Sequence, residues 1–221
     1  TKSIWRAEKQ IFAVYSPWNH RLRTTFALTA AEQLSAGKKV LYLNFSICNG
    51  FCKSMGLEPD VDMGDLFYLL REDEEALLAK LKSGIYPLGS YQIIPPPSNP
   101  EHYMEWRKGE VRHFLEILLE KTDFEVLVLD MGCVMNGFFE VLDLCGRIWI
   151  LKEHRTSKDS GIEELRELLE KFKAGLEERV EEVFLPGGQA WREDETIQVE
   201  EFYMGEVGNC VRRLLGGEYA S

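Results

Sequence analysis

The feature that most constrains this chain is a short apolar run, a polar turn, an alanine-rich helix and a second apolar run, all before residue 47. Ile11-Phe12-Ala13-Val14-Tyr15 is too short for a helix and is stopped by Ser16-Pro17, so it reads as a buried strand. Phe26 to Leu34 has helical spacing, Gly37 is placed to end it, and Lys38-Lys39 lead into Val40-Leu41-Tyr42-Leu43. Strand, loop, helix, strand is the unit that opens a parallel sheet. Further along, Tyr91–Ile94, Phe124–Asp130, Arg147–Leu151 and Val180–Leu185 are apolar runs separated by helical patterns. The run Phe124-Glu125-Val126-Leu127-Val128-Leu129-Asp130 is almost unbroken, as a central strand covered on both faces must be. The expected fold is a three-layer α/β sandwich with a mainly parallel twisted sheet, Asp130 ending a central strand, and residues 1–221 forming a single domain.

Finer expectations follow from local pattern. Gly64 to Leu70 and Glu74 to Lys82 read as helices, with the acidic cluster Glu72, Asp73, Glu74 and Glu75 at a helix start, where negative charge suits the dipole. Ser98-Asn99-Pro100 opens a helical stretch that runs toward Lys121 with a break at Gly109. Ser160-Gly161 opens an amphipathic helix whose core stripe is Ile162, Leu165, Leu168, Leu169, Phe172 and Leu176. Thr196 to Tyr203 alternates like an edge strand, and Val207 to Leu215 reads as a closing helix.

The turn after the first strand is where α/β proteins that hold phosphates place a glycine-rich loop against a helix N-terminus. Here it reads Trp18-Asn19-His20-Arg21-Leu22-Arg23-Thr24-Thr25 and carries no glycine. Residues Ile11 to Ser46 nevertheless resemble the start of the MinD/ParA family of deviant-Walker ATPases, where a strand ending in Ser-Pro or similar precedes Lys-Gly-Gly-x-Gly-Lys-Thr-Thr. By that resemblance Trp18 stands at the signature lysine, Asn19, His20 and Leu22 at the glycines, and Arg23 at the phosphate-loop lysine, while Thr24 and Thr25 match. The family's Asp-x-Asp after the second strand is Asn44 and Ser46 here, and Asp130 matches the Walker B aspartate. Eroded loops of this kind make the chain most similar to the pilus-localisation branch of TadZ and CpaE. The resemblance extends to a proline-bearing loop, Pro95-Pro96-Pro97, after a short strand, to Gly132–Gly137 at the second switch, and to Pro186-Gly187-Gly188 where relatives place an adenine-contacting loop. That last glycine pair has its ordinary use as a turn.

Thirty-seven acidic against 26 basic residues give a net charge of -11, which counts against non-specific nucleic-acid binding and makes DNA an unexpected partner. Five scattered cysteines in apolar contexts read as buried thiols in a reducing cytosol, and the Cys48/Cys52 pair lacks the second pair of ligands a zinc site needs. There is no run of the ~18 apolar residues a membrane helix requires. The chain is therefore expected in the cytoplasm. It starts at Thr1 without a methionine, which reads as an excised domain, since TadZ and CpaE proteins carry a receiver-like domain ahead of the ATPase-like one.

Glycines let backbone N–H groups converge on phosphates, and side chains with a Cβ obstruct that approach. Arg23 keeps the positive charge without the lysine's point geometry, and the two missing carboxylates would have organised metal and water. The resemblance therefore implies a vestigial nucleotide site at Arg21, Arg23, Thr24, Thr25 and Asp130, holding ATP or ADP with magnesium weakly at most, with no catalytic residue. It implies a non-hydrolysing scaffold or localisation protein of a pilus, secretion or other polar assembly. The alternative is a slow ATP-dependent ATPase of partitioning or positioning. In relatives the signature lysine crosses a dimer, so Trp18 is expected at a nucleotide-independent homodimer contact, or tucked into its own empty phosphate site. Residue type alone also allows two further chemistries: a Cys133 nucleophile with His20 or His154, and an anion pocket of His20, Arg21, Arg23 and Arg155.

Overall fold

The chain's structure is a computed structural model that describes residues 9–17, 20–46, 50–99, 101–152, 160–185 and 199–216; for His20, Arg21, Val199 and Glu200 only the backbone is described. Its centre is β5 (Val126–Met131), buried along its whole length. Parallel neighbours flank it on both sides, β1 (Gln10–Tyr15) and β2 (Val40–Phe45). β1 pairs on its other side with β6 (Arg147–Lys152), and β6 with β7 (Val180–Phe184), both parallel. β2 pairs in parallel with β4 (Tyr91–Ile94), whose outer partner β3 (Tyr86–Leu88) runs antiparallel through a turn at Gly89 with φ +59. Among the described residues the sheet thus has seven strands in the order β3-β4-β2-β5-β1-β6-β7. β5 starts two residues later than its apolar run and continues one residue past Asp130.

Alternate residues of each strand feed two cores, as a pleat covered on both faces requires. On one face Phe12, Val14, Tyr42, Val128 and Trp149 pack under α1 (His20–Leu34) and α10 (Glu206–Leu215). On the other, Ile11, Leu43, Leu129 and Ile150 pack under α3 (Met63–Glu72), α4 (Glu74–Gly84), α6 (Glu110–Lys121), α7 (Phe138–Leu144) and α8 (Ser160–Phe172). Short helices α2 (Phe51–Ser54), α5 (Glu101–Glu105) and α9 (Val199–Met204) fill the connections. The three-layer, mainly parallel arrangement is the one expected.

Local chemistry sets the boundaries. Asp62 caps α3 by accepting from Gly64 N and Asp65 N, while Asp65 accepts from Asp62 N in return, a capping box. Asp73 closes α3 and caps α4, so the acidic cluster is a helix boundary. Gly109, at φ +87, separates α5 and α6 where the break was expected.

Three expectations are corrected. Residues 199–204 are helical, so the alternation seen from Thr196 to Tyr203 is not an edge strand over that span. In α8, Ile162 and Leu169 are buried, but Leu168 and Phe172 face outward at 40% and 43% exposure. Most consequentially, α1 begins at His20 rather than near Phe26, so six residues read as loop are the helix's first turns.

Candidate functional site

The polar residues of this site come together where strand connections diverge. From β1 the chain crosses to β2 on one side, and from β5 it crosses to β6 on the other, so the carboxyl ends of β1 and β5 border the crevice in which open α/β sheets hold ligands. α1 starts above that crevice, and Asp130 rises into it from β5.

The early start of α1 changes what the loop can do. Residues with a Cβ favour the helix over the left-handed turns that glycine permits, and inside a helix the N–H groups past the first turn are bonded to carbonyls. The backbone donors of Thr24 and Thr25 lie past that first turn, so they belong to the helix rather than to a phosphate cradle.

Arg23 does not reach outward. It is 1% exposed, and its Nε donates to Oδ1 of Asp130, itself 0% exposed. Its Nη2 donates to Ser46 Oγ at 2.6 Å. Thr24 Oγ1 donates to Asp130 Oδ2 at 2.7 Å, and Tyr42 OH donates to the same oxygen at 2.8 Å. Asn44 Nδ2 in turn donates to Tyr42 OH at 3.2 Å. Three donors thus meet a carboxylate that has about four acceptor positions. A buried charge is tolerated only when paired and hydrogen-bonded, and Asp130 meets both conditions within its own chain.

The surrounding backbone is drawn in as well. Gly132 N donates to Phe45 O at 2.9 Å, and a Cβ at Gly132 would collide with Ser46 Oγ and lie 2.7 Å from Arg23 Nη2. Glycine is therefore required here by contact rather than by conformation. Tyr103 OH, from α5, donates to Asn44 O at 3.1 Å and to Ser46 O at 3.4 Å. Burial, reinforced by the Asp130 charge and hydrogen bond, pushes the Tyr42 phenol well above its ordinary pKa, and burial does the same for Tyr103. Both stay protonated donors.

These residues do not fit a magnesium nucleotide as they stand. The Thr24 hydroxyl and Asp130 oxygens that would meet a hydrated metal are bonded to each other, and a guanidinium lies between Asp130 and Ser46. Thr25 is buried within α1, and its carbonyl accepts from Thr29 Oγ1 at 2.8 Å. The side chain of Arg21 is outside the described residues, as are Trp18, Cys48, His154, Arg155 and Pro186-Gly187-Gly188. Arg23 is spent on Asp130 and so is not part of an open anion pocket. The Cys133 thiol donates to Phe45 O at 3.3 Å, and burial raises its pKa against the pull of Arg23, the opposite of what a thiolate nucleophile needs. Residue pattern gave Tyr42 and Tyr103 no part in the site, placed Gly132 only by resemblance at the start of the second switch, and treated Ser46 only as a lost carboxylate.

Beside the polar site, on the same sheet edge, lies an apolar recess of about 410 Å³ between α7, α8 and the loop after β5. Tyr15, Pro17, Val134, Phe139, Leu165 and Leu168 line it. Val134 is 70% exposed, and Phe172 stacks on Phe139 nearby.

No protein-family model matches the chain, and no curated protein matches it in sequence. Its structural neighbours include ATPases of the ParA and MinD type, a cobyrinic acid a,c-diamide synthase and a kinase domain, and the chain has the mainly parallel α/β fold of the ParA and MinD ATPases. A ParA family ATPase from Chlorobium tepidum superposes with a TM-score of 0.63 at 18% identity, covering 80% of this chain and 73% of its own. The cell division ATPase MinD of Pyrococcus furiosus gives 0.57 at 17%, covering 91% and 79%. A plasmid partition protein from Borrelia burgdorferi gives 0.61 at 13%, covering 94% and 98%. At these identities the likeness is one of fold. No helix among the described residues is long and apolar enough to cross a membrane.

Proposed function

We propose that this chain is a positioning protein of the partitioning and cell-division class that works without hydrolysing ATP, residues 1–221 acting as one degenerate unit. Its class is supported by those neighbours that are described as a cell division ATPase and a plasmid partition protein, beside a ParA family ATPase. They favour that role over placement of a pilus or secretion machine, for which none of them speaks. The single observation that carries the loss of hydrolysis is Arg23, buried against Asp130 and Ser46 where a metal and phosphates would have to sit. Opening the site would require breaking that ion pair and unwinding the start of α1, so Arg21, Arg23, Thr24, Thr25 and Asp130 are read as a vestigial site.

The second reading, a slow ATP-dependent ATPase, is favoured by the same neighbours, because two of them are described as ATPases. Phosphate release from magnesium-ATP decides between the two. The expected result is no release above that of Thr24→Val, and no heat of ATP binding by titration calorimetry. Turnover that Thr24→Val abolishes would overturn the proposal and establish the slow ATPase.

For partners, we favour a homodimer that ignores nucleotide, with Trp18 at or near the contact. Pro17, Val134, Leu168 and Phe172 support this face, since they put exposed apolar surface beside the loop that carries Trp18. Sedimentation should give the same dimer with and without ATP and a shift toward monomer in Trp18→Ala. A dimer that needs ATP would rule it out. A net charge of -11 counts against DNA as the surface on which such a protein acts.

A further inference from the structure

At the opposite end of the sheet, below the starts of β4 and β5, an open groove of about 580 Å³ separates the C-terminal ends of α4 and α6. Its floor is apolar, built by Leu78, Leu81, Ile85 and Phe124, and Lys82 and Lys121 stand on its walls. The volume falls within the ~300–1,000 Å³ usual for small-molecule sites, as does the pattern of an apolar lining with few charged groups.

The two lysines need an explanation. Each sits in the last turn of its helix, where a cation complements the dipole. At α6, however, other groups already serve the terminal carbonyls: Thr122 Oγ1 donates to Leu118 O, and Lys9 Nζ donates to Leu119 O and Thr122 O. The one carboxylate in the groove, Asp123, is held by Lys39. Lys82 and Lys121 therefore line an apolar groove with no carboxylate partner among the described residues, in a chain whose net charge is -11. Lysine stems lie along apolar surface while the ammonium stays hydrated, so an anionic head group at the rim and a hydrocarbon tail on the floor would satisfy both parts.

We propose that this groove binds a single-chain amphiphile with an anionic head, a free fatty-acid-like carboxylate. The site is independent of the vestigial nucleotide site and of any reading of it. Sodium dodecanoate below its micelle concentration is the probe, followed by titration calorimetry on the whole chain, with dodecylammonium as the charge control. Saturable one-to-one binding of dodecanoate is expected, at least tenfold tighter than dodecylammonium and weakened at least tenfold by Lys82→Glu/Lys121→Glu. Both lysines are exposed, so that variant should still fold, with an unfolding midpoint lowered only slightly by the reversed charges at two helix C-termini. Gln92→Trp, which fills the groove from β4, should abolish uptake; if it does not fold, the lysine variant alone decides. Absence of saturable binding, equal binding of the two amphiphiles, or indifference to the lysine variant would overturn the proposal. Lysine-dependent binding to phosphatidylglycerol vesicles without binding of monomeric dodecanoate would overturn it too, since the surface would then be a membrane contact.

Discussion

Two ion pairs stand at opposite ends of the same sheet, and their surroundings make them different objects. Arg23–Asp130 sits at the carboxyl ends of β1 and β5, with both side chains almost fully inaccessible. Lys39–Asp123 sits at the amino ends of β2 and β5, with its side chains 64% and 70% exposed. At the exposed end water already solvates each charge, so the pair adds little to what either ion has alone. At the buried end each ion is costly without the other, and the hydroxyls of Thr24, Tyr42 and Ser46 complete the solvation. The crevice between β1 and β5, where sheets of this kind take ligands, has been filled by the chain's own side chains. The other end carries the open groove. A burial difference, rather than any difference in charge, separates a structural keystone from a surface ornament.

The largest effect should come from removing one ion of the buried pair. Arg23→Met leaves Asp130 charged in a closed site and is expected to cost roughly 3–5 kcal/mol in urea unfolding. Asp130→Asn should cost a comparable amount by stranding the guanidinium. If burial is the cause, the double variant costs clearly less than the sum of the two, with coupling on the order of 1–3 kcal/mol. Additive losses would mean that the pair does not act as a unit.

Next in size is Gly132→Ala. Its Cβ has no room beside Ser46 Oγ and Arg23 Nη2, so either the β5 loop shifts or the guanidinium moves. A cost of about 1–3 kcal/mol follows from overpacking a closed site. Pairing it with Ser46→Gly, which removes the hydroxymethyl group in the way, should recover part of the loss. No recovery would place the strain elsewhere.

How much of this was legible in the residues depends on whether a position has one neighbour or several. β1, β2 and β5 were legible because strands covered on both faces must be apolar along their length. In α8 the stripe Ile162, Leu165, Leu168, Leu169, Phe172 is wider than the buried seam. Pattern alone could not tell that Leu168 and Phe172 look outward. Arg23 was assigned by resemblance to a position whose lysine points at phosphate. Its inward turn follows from partners 23 and 107 residues away, Ser46 and Asp130. A signal existed: with Asn44 and Ser46 in place of carboxylates, Asp130 is left as the acid at the ends of β2 and β5, and Arg23 is a nearby cation. Charge bookkeeping along the strand ends would have joined them.

A helix start offers an effect of intermediate size and a control on the comparison. Asp62 is buried and partnered, but by backbone N–H groups of Gly64, Asp65 and Ser98 rather than by a cation. Asp62→Ala should cost about 0.5–2 kcal/mol, the range for losing an N-cap. If it equalled Arg23→Met, burial of any partnered carboxylate would suffice, and the ionic character of the Arg23 pair would lose its meaning.

The smallest effect belongs to the exposed pair, and pH gives it a sign. The Lys39 hydrogen bond and charge hold the Asp123 pKa below its ordinary value, and Asp123 raises that of Lys39. A depressed acid contributes above its unfolded pKa of about 3.9 and loses that contribution as pH falls through the lower folded value. A raised base contributes below about 10.4 and loses it as pH climbs through the higher folded value. The pair therefore acts only between those limits, and salt screens it there. Lys39→Ala should leave the urea midpoint at pH 7 within error in 0.15 M salt, with any shift appearing at low salt and vanishing in strong acid. The substitution leaves Glu125 in place, whose Oε2 accepts from Lys39 N at 3.0 Å, a contact the alanine retains. A midpoint shift at pH 7 that survives 1 M salt would show that exposure does not decide the worth of an ion pair in this sheet, and the contrast between its two ends would fail.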